Sequence, residues 1–125
     1  MTDAIVEAGL ARWAEAFAAA DFEGIANLYT EDTLFYGSAP PLLRGPSGVL
    51  GYFKALPASD GAKVVFENIV AQRLSDTVIS IAMIAAFSAR SWGENKTVRM
   101  RFTHVWVRVG DEWKIASHHA SPANA

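Results

Sequence analysis

The spacing of apolar residues changes near residue 62, and this change constrains the fold more than any other feature of the sequence. Before it, apolar residues recur three and four positions apart, as on one face of a helix; after it, they recur at every second position. Strands fit residues 62–74, 77–90, 97–109 and 113–121, with connections of hairpin length between them. Helices followed by antiparallel hairpins predict an α+β fold with the helices on one face of the sheet.

The part before residue 62 predicts three helices and a short strand. An apolar stripe predicts a helix over the first twenty residues, and Asp21 is the expected N-cap of a short second helix. Gly45-Pro46 is a typical helix start, and Pro57 is the expected end of that third helix. A strand is predicted at Thr33–Tyr36, and residues 38–43 after it form a candidate lid.

Composition and charge exclude several classes of partner and site. With 11 Lys+Arg against 13 Asp+Glu, the net charge is −2, which argues against nucleic acid or an anionic membrane as the partner. The chain has no cysteine, so it has no disulfide, thiol nucleophile or thiolate metal ligand. The start of the chain lacks the pattern of a signal peptide, and the longest apolar run, Ile81–Phe87, is too short to span a bilayer. The sequence therefore predicts a cytoplasmic protein.

The strand that begins near Thr77 barely alternates between apolar and polar residues. Its segment from Val78 to Phe87 is apolar on both faces, whereas an antiparallel strand with one wet face should alternate. We therefore expect the outer face of the sheet to be covered by a second subunit, which predicts a homodimer through the sheet.

Three segments resemble the SnoaL-like branch of the nuclear transport factor 2-like superfamily: Trp13–Asp32, Leu43–Gly45 and Phe102–Ser121. The third is most similar to the association domain of calcium/calmodulin-dependent protein kinase II and its free-standing bacterial relatives. The resemblance implies a single domain over residues 1–125, in which a cone-shaped, curved antiparallel sheet wraps around three helices and leaves a pocket (a cystatin-like α+β roll). Members include isomerases, cyclases, dehydratases and association domains, so the fold leaves the function open.

The carboxylates that ketosteroid isomerases of this superfamily use are missing. Their pattern has one acid after the first strand and another on a late strand, but here the late strand carries Arg99, Arg101 and Thr103. Isomerase chemistry of that kind is therefore disfavoured. Glu67 is the acid that lies within a predicted strand. It is a candidate pocket carboxylate or a candidate ion-pair partner for a strand arginine. The alternative is a solvent-facing or interface residue.

The histidines are the candidate catalytic residues. A three-residue hairpin loop would pair Val109 with Trp113 and place His104 opposite His118, whereas a slip of one residue would put His104 on the same face as His119. The resemblance favours the first register, because the association domains place pocket groups at positions that match His104 and Ala120. We therefore predict His104 and His118 as an acid/base couple that titrates near neutrality. The alternative is structural, with one histidine bonded inside the cone and another at the dimer interface. No third ligand is evident, so no metal is predicted.

The candidate ligand-binding residues are Trp13, Tyr36, Tyr52, Arg101 and His119. Tyrosines would add hydroxyl donors to an apolar pocket, with Tyr36 near its mouth, and Trp13 is equally consistent with core packing. In the related association domains, basic pocket residues can hold small carboxylates. The resemblance therefore implies that Arg101 is a candidate ligand-binding residue. A regular strand sends Arg101 and His104 to opposite faces, so a shared cavity would require a bulge between them.

Those relatives often have arginine where this chain has His104 and Ala120, which weakens the expectation of a carboxylate ligand. The sequence predicts a domain that binds a small, mostly apolar organic molecule. If the protein is an enzyme, it would convert this molecule without a cofactor. Conversion would resemble that of an isomerase, cyclase or dehydratase, with His104 or His118 moving the proton and Tyr36 or Tyr52 polarising a carbonyl. The alternative is a non-catalytic ligand-binding or association module, either a dimer or a larger hub.

Overall fold

The computed structural model describes residues 3–56, 61–93 and 96–123, and within them three helices and six strands. The helices are α1 (Ala4–Ala18), α2 (Phe22–Ala26) and α3 (Gly45–Ala55). The strands are β1 (Tyr29–Tyr36), β2 (Leu43–Arg44), β3 (Lys63–Ser75), β4 (Val78–Ser88), β5 (Val98–Val109) and β6 (Glu112–Pro122), with a 3-10 turn at Arg90–Trp92. The predicted α+β class is confirmed. No helix in the described ranges is long and apolar enough to cross a membrane.

Side-chain caps start the first two helices. Asp3 accepts a hydrogen bond from the backbone N–H of Ile5, and Asp21, the predicted cap, accepts one from Gly24, each at 2.9 Å. The first helix ends with Ala20 in the left-handed conformation at a φ of 55°, a position that glycine usually occupies. The predicted end of the third helix, Pro57, lies outside the described residues.

The strands form one curved, unclosed sheet in the order β2-β1-β6-β5-β4-β3. The four hairpin strands are antiparallel, as predicted, and β1, which lies between β2 and β6, runs parallel to β6. No tight turn joins β1 to β6, so loop geometry does not dictate the direction of β1. This strand is also longer than expected, beginning at Tyr29, and the short strand β2 was not predicted.

The β5–β6 hairpin reaches the predicted histidine pairing by a different route. Its loop has two residues rather than three, because Val109 pairs with Glu112. A bulge then leaves Ala116 unpaired and shifts the register by one residue, so that His104 lies opposite His118.

The helices pack against the concave face of the sheet. Along β5 the even-numbered side chains from Phe102 to Trp106 are buried on this face, while Arg101 and Thr103 are exposed on the other. Trp106 lies directly against α1 at Gly9, where a β-carbon would overlap the indole ring. The absence of a side chain at Gly9 therefore sets how closely the helix approaches the sheet.

Replacing Gly9 by alanine should destabilise the protein by about 1–3 kcal/mol, because the added methyl group overpacks the contact with Trp106. The matched control is Gly51→Ala in α3, where a β-carbon would have no neighbour within 4 Å. Alanine is the better helix former, so Gly51→Ala should stabilise by up to about 1 kcal/mol. Urea denaturation measures both changes, and a stabilised Gly9→Ala variant would contradict this packing.

Candidate functional site: an apolar cavity with a buried histidine pair

A cavity of about 680 Å³ lies between the helices and the concave face of the sheet. This volume is in the range of small-molecule sites. Its walls are mostly apolar, with aromatic rings from both layers: Trp13, Phe17, Phe22, Phe35, Tyr52, Phe53, Phe87, Trp92 and Phe102. Polar side chains contribute at Ser38, Tyr52, Lys54, Trp92 and His118.

The predicted histidine pair is buried at the inner wall. Nε2 of His104 is 2.8 Å from Nδ1 of His118, and the two residues are 1% and 3% exposed. His118 lines the cavity, with its ring stacked on Phe35 at a centroid distance of 4.3 Å. His104 does not line the cavity; it lies next to His118 on the neighbouring strand.

Three further side chains extend this pair into a continuous hydrogen-bonded chain. The indole N–H of Trp106 donates to Nδ1 of His104 at 3.1 Å. On the other side, the hydroxyl of Tyr29 lies 3.0 Å from Nδ1 of His118 and accepts a hydrogen bond from the indole N–H of Trp13 at 3.1 Å. The burial of several polar side chains is tolerated because they satisfy one another.

Burial determines the charge state of the pair. Desolvation lowers the pKa of His104 from 6.5 to about 3. The pKa of His118 is also lowered well below 6.5, mainly by desolvation and further by the neighbouring His104 and His119. Desolvation raises the pKa of the Tyr29 hydroxyl. All three groups are therefore neutral at pH 7, which does not agree with a couple that titrates near neutrality.

The structure brings together only some of the predicted site residues. Trp13, Tyr52 and His118 line the cavity, and Tyr52 also accepts a hydrogen bond from the backbone N–H of Ser38 at 2.9 Å. That contact joins the loop after β1 to α3 at the cavity wall.

Three predicted ligand-binding residues lie on the opposite face of the sheet and do not line the cavity. Tyr36 is 41% exposed and packs edge-on against His119, at a centroid distance of 5.6 Å. Arg101 is on the same face as His119 because β5 pairs with β4 without the bulge that a shared cavity would require. The alternation of side chains along regular strands is the reason for all three corrections.

Glu67 is also on the outer face and forms an ion pair with Arg99 at 3.0 Å. This agrees with the ion-pair alternative for Glu67. Both side chains are substantially exposed, so the pair contributes little to stability.

Sequence reasoning did not find the roles of Tyr29 and Trp106. A signal for Trp106 is present, because residues 104 and 106 of one strand share a face and an indole N–H that faces a core requires an acceptor. Tyr29 gave no comparable signal, because its contact with His118 spans most of the chain. The described residues contain no cluster of His, Asp or Glu suited to a metal ion.

A family model for the SnoaL-like domain matches residues 6–125. The chain belongs to the SnoaL-like family. This confirms the resemblance seen in the sequence. A search of curated proteins returns no significant match.

Solved structures of the same fold cover nearly the whole SnoaL-like chain. A candidate calcium/calmodulin-dependent protein kinase II association domain from Xanthomonas campestris is 23% identical, with a TM-score of 0.83 over 94% of this chain and 84% of its own. A candidate dehydratase of the nuclear transport factor 2-like family from Streptomyces avermitilis is 18% identical, with a TM-score of 0.78 and coverages of 96% and 95%. A Nostoc punctiforme domain of unknown function with a cystatin-like fold is 13% identical, with a TM-score of 0.82 and coverages of 100% and 81%.

The buried histidines should make the protein less stable in mild acid. Their folded-state pKa values lie below the unfolded value of 6.5, so the unfolded chain binds more protons as the pH falls from 6.5 towards 3. Stability from this source is complete above pH 6.5 and declines below it, by up to about 1.4 kcal/mol per pH unit for each histidine.

Urea denaturation between about pH 7.5 and 5 tests this effect, because most carboxylates remain ionised in that window. The double variant His104→Phe/His118→Phe should show a flatter profile. His119→Gln, which removes a histidine on the outer face, should keep the slope. A wild-type profile that is flat across the window would contradict the buried, neutral pair.

Proposed function

We propose that this SnoaL-like domain binds a small, mostly apolar organic molecule in the cavity between its helices and sheet. The observation that carries the proposal is a cavity of about 680 Å³ with aromatic and aliphatic walls, in which His118 is the buried polar side chain. Apolar walls supply affinity through desolvation, and a few placed polar groups orient the ligand. A candidate dehydratase among the related folds is consistent with a small-molecule site.

The polar lining has an asymmetric distribution that would orient such a ligand. His118 lies in the buried wall, whereas Ser38 and Lys54 are exposed. The hydroxyls of Ser38 and Tyr52 are 2.7 Å apart and hold the loop after β1 against α3. A ligand would therefore place one polar atom at His118 and further polar atoms near this exposed side.

Binding is better supported than conversion. The described lining residues include no carboxylate that could act as a base, and burial opposes protonation of His118. Of the two candidate catalytic histidines, His118 can touch a ligand, while His104 would act as a positioning residue. Tyr52, rather than Tyr36, is placed to polarise a carbonyl. Cofactor-independent turnover of isomerase, cyclase or dehydratase type would have to proceed through these groups.

Narrowing the cavity should weaken binding of an uncharged fluorophore without an N–H group, such as 6-propionyl-2-(dimethylamino)naphthalene. Ala120 lines the wall and lies two residues from His118 on the same face of β6, so Ala120→Phe should raise the dissociation constant by roughly tenfold or more. The control is Ala71→Phe, at an exposed strand position outside the cavity lining. Fluorescence titration measures both variants, and an equal affinity in both would exclude the cavity as the binding site.

A homodimer through the outer face of the sheet is the second proposal, and an association role would use the same surface. Ala82 and Ile84 of β4 point outwards, and Val70 of β3 pairs with Ala82. Their partners on β5 are Thr103 and Arg101. Val70 is 67% exposed in the single chain. A group of apolar side chains at neighbouring strand positions is unusual on a solvent-exposed sheet face and is typical of an interface.

Size-exclusion chromatography with light scattering tests the dimer. The wild type should have twice the monomer mass, and Ile84→Glu should dissociate it because a carboxylate would be buried in the interface. Ala11→Glu, on an exposed position of α1, should leave the mass unchanged. A monomeric wild type would refute the dimer, and a mass above a dimer would indicate a hub.

A further inference from the structure

We propose that the cavity selects ligands with a hydrogen-bond-accepting oxygen, such as a ketone, aldehyde or ester carbonyl, because the buried chain from Trp106 fixes His118 as an N–H donor at Nε2. This inference rests on the proposed binding function and names its ligand class. It follows from which atoms in the chain can donate and which can accept.

The first step is the protonation of His104. An indole N–H can only donate, so the Nδ1 atom of His104, 3.1 Å from Nε1 of Trp106, must be an unprotonated acceptor. A neutral imidazole carries one N–H. In His104 that hydrogen is therefore on Nε2.

The second step passes this choice on to His118. The Nε2–H of His104 points at Nδ1 of His118, 2.8 Å away, so that Nδ1 must also be an acceptor. The hydrogen of His118 is therefore on Nε2. The Tyr29 hydroxyl lies 3.0 Å from the same Nδ1 and accepts the indole N–H of Trp13. It is compatible with this assignment, because its own hydrogen can point at Nδ1 and share that acceptor with His104.

The third step is whether a ligand in the cavity can reach Nε2 of His118. It has no hydrogen-bond partner among the described residues, although His118 as a whole is buried and lines the cavity. Nε2 is also not completely buried. Among the described residues, Oγ1 of Thr30 is the only side-chain nitrogen or oxygen atom that is completely buried and has no hydrogen-bond partner. Nε2–H is therefore an unpaired donor that is not fully buried, on a residue that lines the cavity, and a ligand oxygen in the cavity would satisfy it.

The charges around the cavity favour the same ligand class. Lys54 is the only described lining residue with a formal charge at pH 7, since burial keeps His118 neutral. An ammonium ligand would meet no carboxylate in this lining, and an N–H donor would face another donor at His118. In addition, aligned hydrogen bonds from Trp106 through His104 to His118 polarise one another, which strengthens the last donor in the chain.

Matched ligands of one shape test the inference. We expect 9-fluorenone, which has a carbonyl, to bind about tenfold more tightly than fluorene, which has none, and 9-aminofluorene to bind most weakly. The infrared carbonyl stretch of bound fluorenone should shift to lower frequency. In the free protein, 15N NMR of the imidazoles should show a pyrrole-like Nε2 and a pyridine-like Nδ1 in both His104 and His118.

Two variants separate a direct role from a positioning role. His118→Phe should remove the preference for fluorenone and the infrared shift while fluorene still binds. Trp106→Phe removes the donor that sets the tautomers, so the NMR spectrum should show mixed tautomers and the preference should fall several-fold. Tyr36→Phe, on the outer face, is the control that should retain both signatures.

The outcomes distinguish this inference from the proposed function. Equal affinity for fluorenone and fluorene, or a hydrogen on Nδ1 of His118, would overturn the inference and leave the apolar binding site intact. Failure of all three ligands to bind would overturn both proposals. A preference for fluorenone that survives in both His118→Phe and Trp106→Phe would show that the selectivity arises elsewhere and would also overturn it.

Discussion

The indole N–H of Trp106 can only donate a hydrogen bond, and in the dry space between helix and sheet it must find an acceptor. His104, two residues earlier on the same face of β5, is that acceptor. The contact holds His104 in one tautomer and aligns it with His118, so the polarity of the inner wall depends on it. The same indole packs against Gly9, so one side chain determines both the approach of α1 and the hydrogen bonding beneath it.

Much of the fold could be predicted from the sequence, because hydrophobic periodicity reports each element separately. The order of the helices, the four hairpin strands and the Asp21 cap depend on neighbouring residues, and all are present in the structure. The direction of β1 could not be predicted, because it is decided by packing against β6, about eighty residues later. The resemblance to association domains favoured the register of a three-residue loop, which pairs His104 with His118, whereas a two-residue loop and a bulge together produce that pairing.

The cavity was harder to predict than the fold. Strand alternation places His118 inside and His119 outside once the register is known, and it equally places Arg101 outside. The resemblance to association domains predicts a pocket position for Arg101, whereas alternation along a regular strand predicts the face opposite to His104. Alternation cannot reveal contacts such as that between Tyr29 and His118, because it does not report which strands pair, and these residues lie on the paired strands β1 and β6.

The bulge at Ala116 has a consequence for how such a site can change by insertion and deletion. Without it, the β6 strand would stay in the register of its turn, and His119 rather than Ala120 would lie opposite Phe102 on the concave face. Because two histidines are adjacent, a slip of one residue would move the imidazole along the cavity wall instead of removing it. Adjacent histidines beside a bulge thus allow a one-residue insertion or deletion in β6 to move the inward-facing imidazole of this strand by one position, while the aromatic residues of the other elements stay in place.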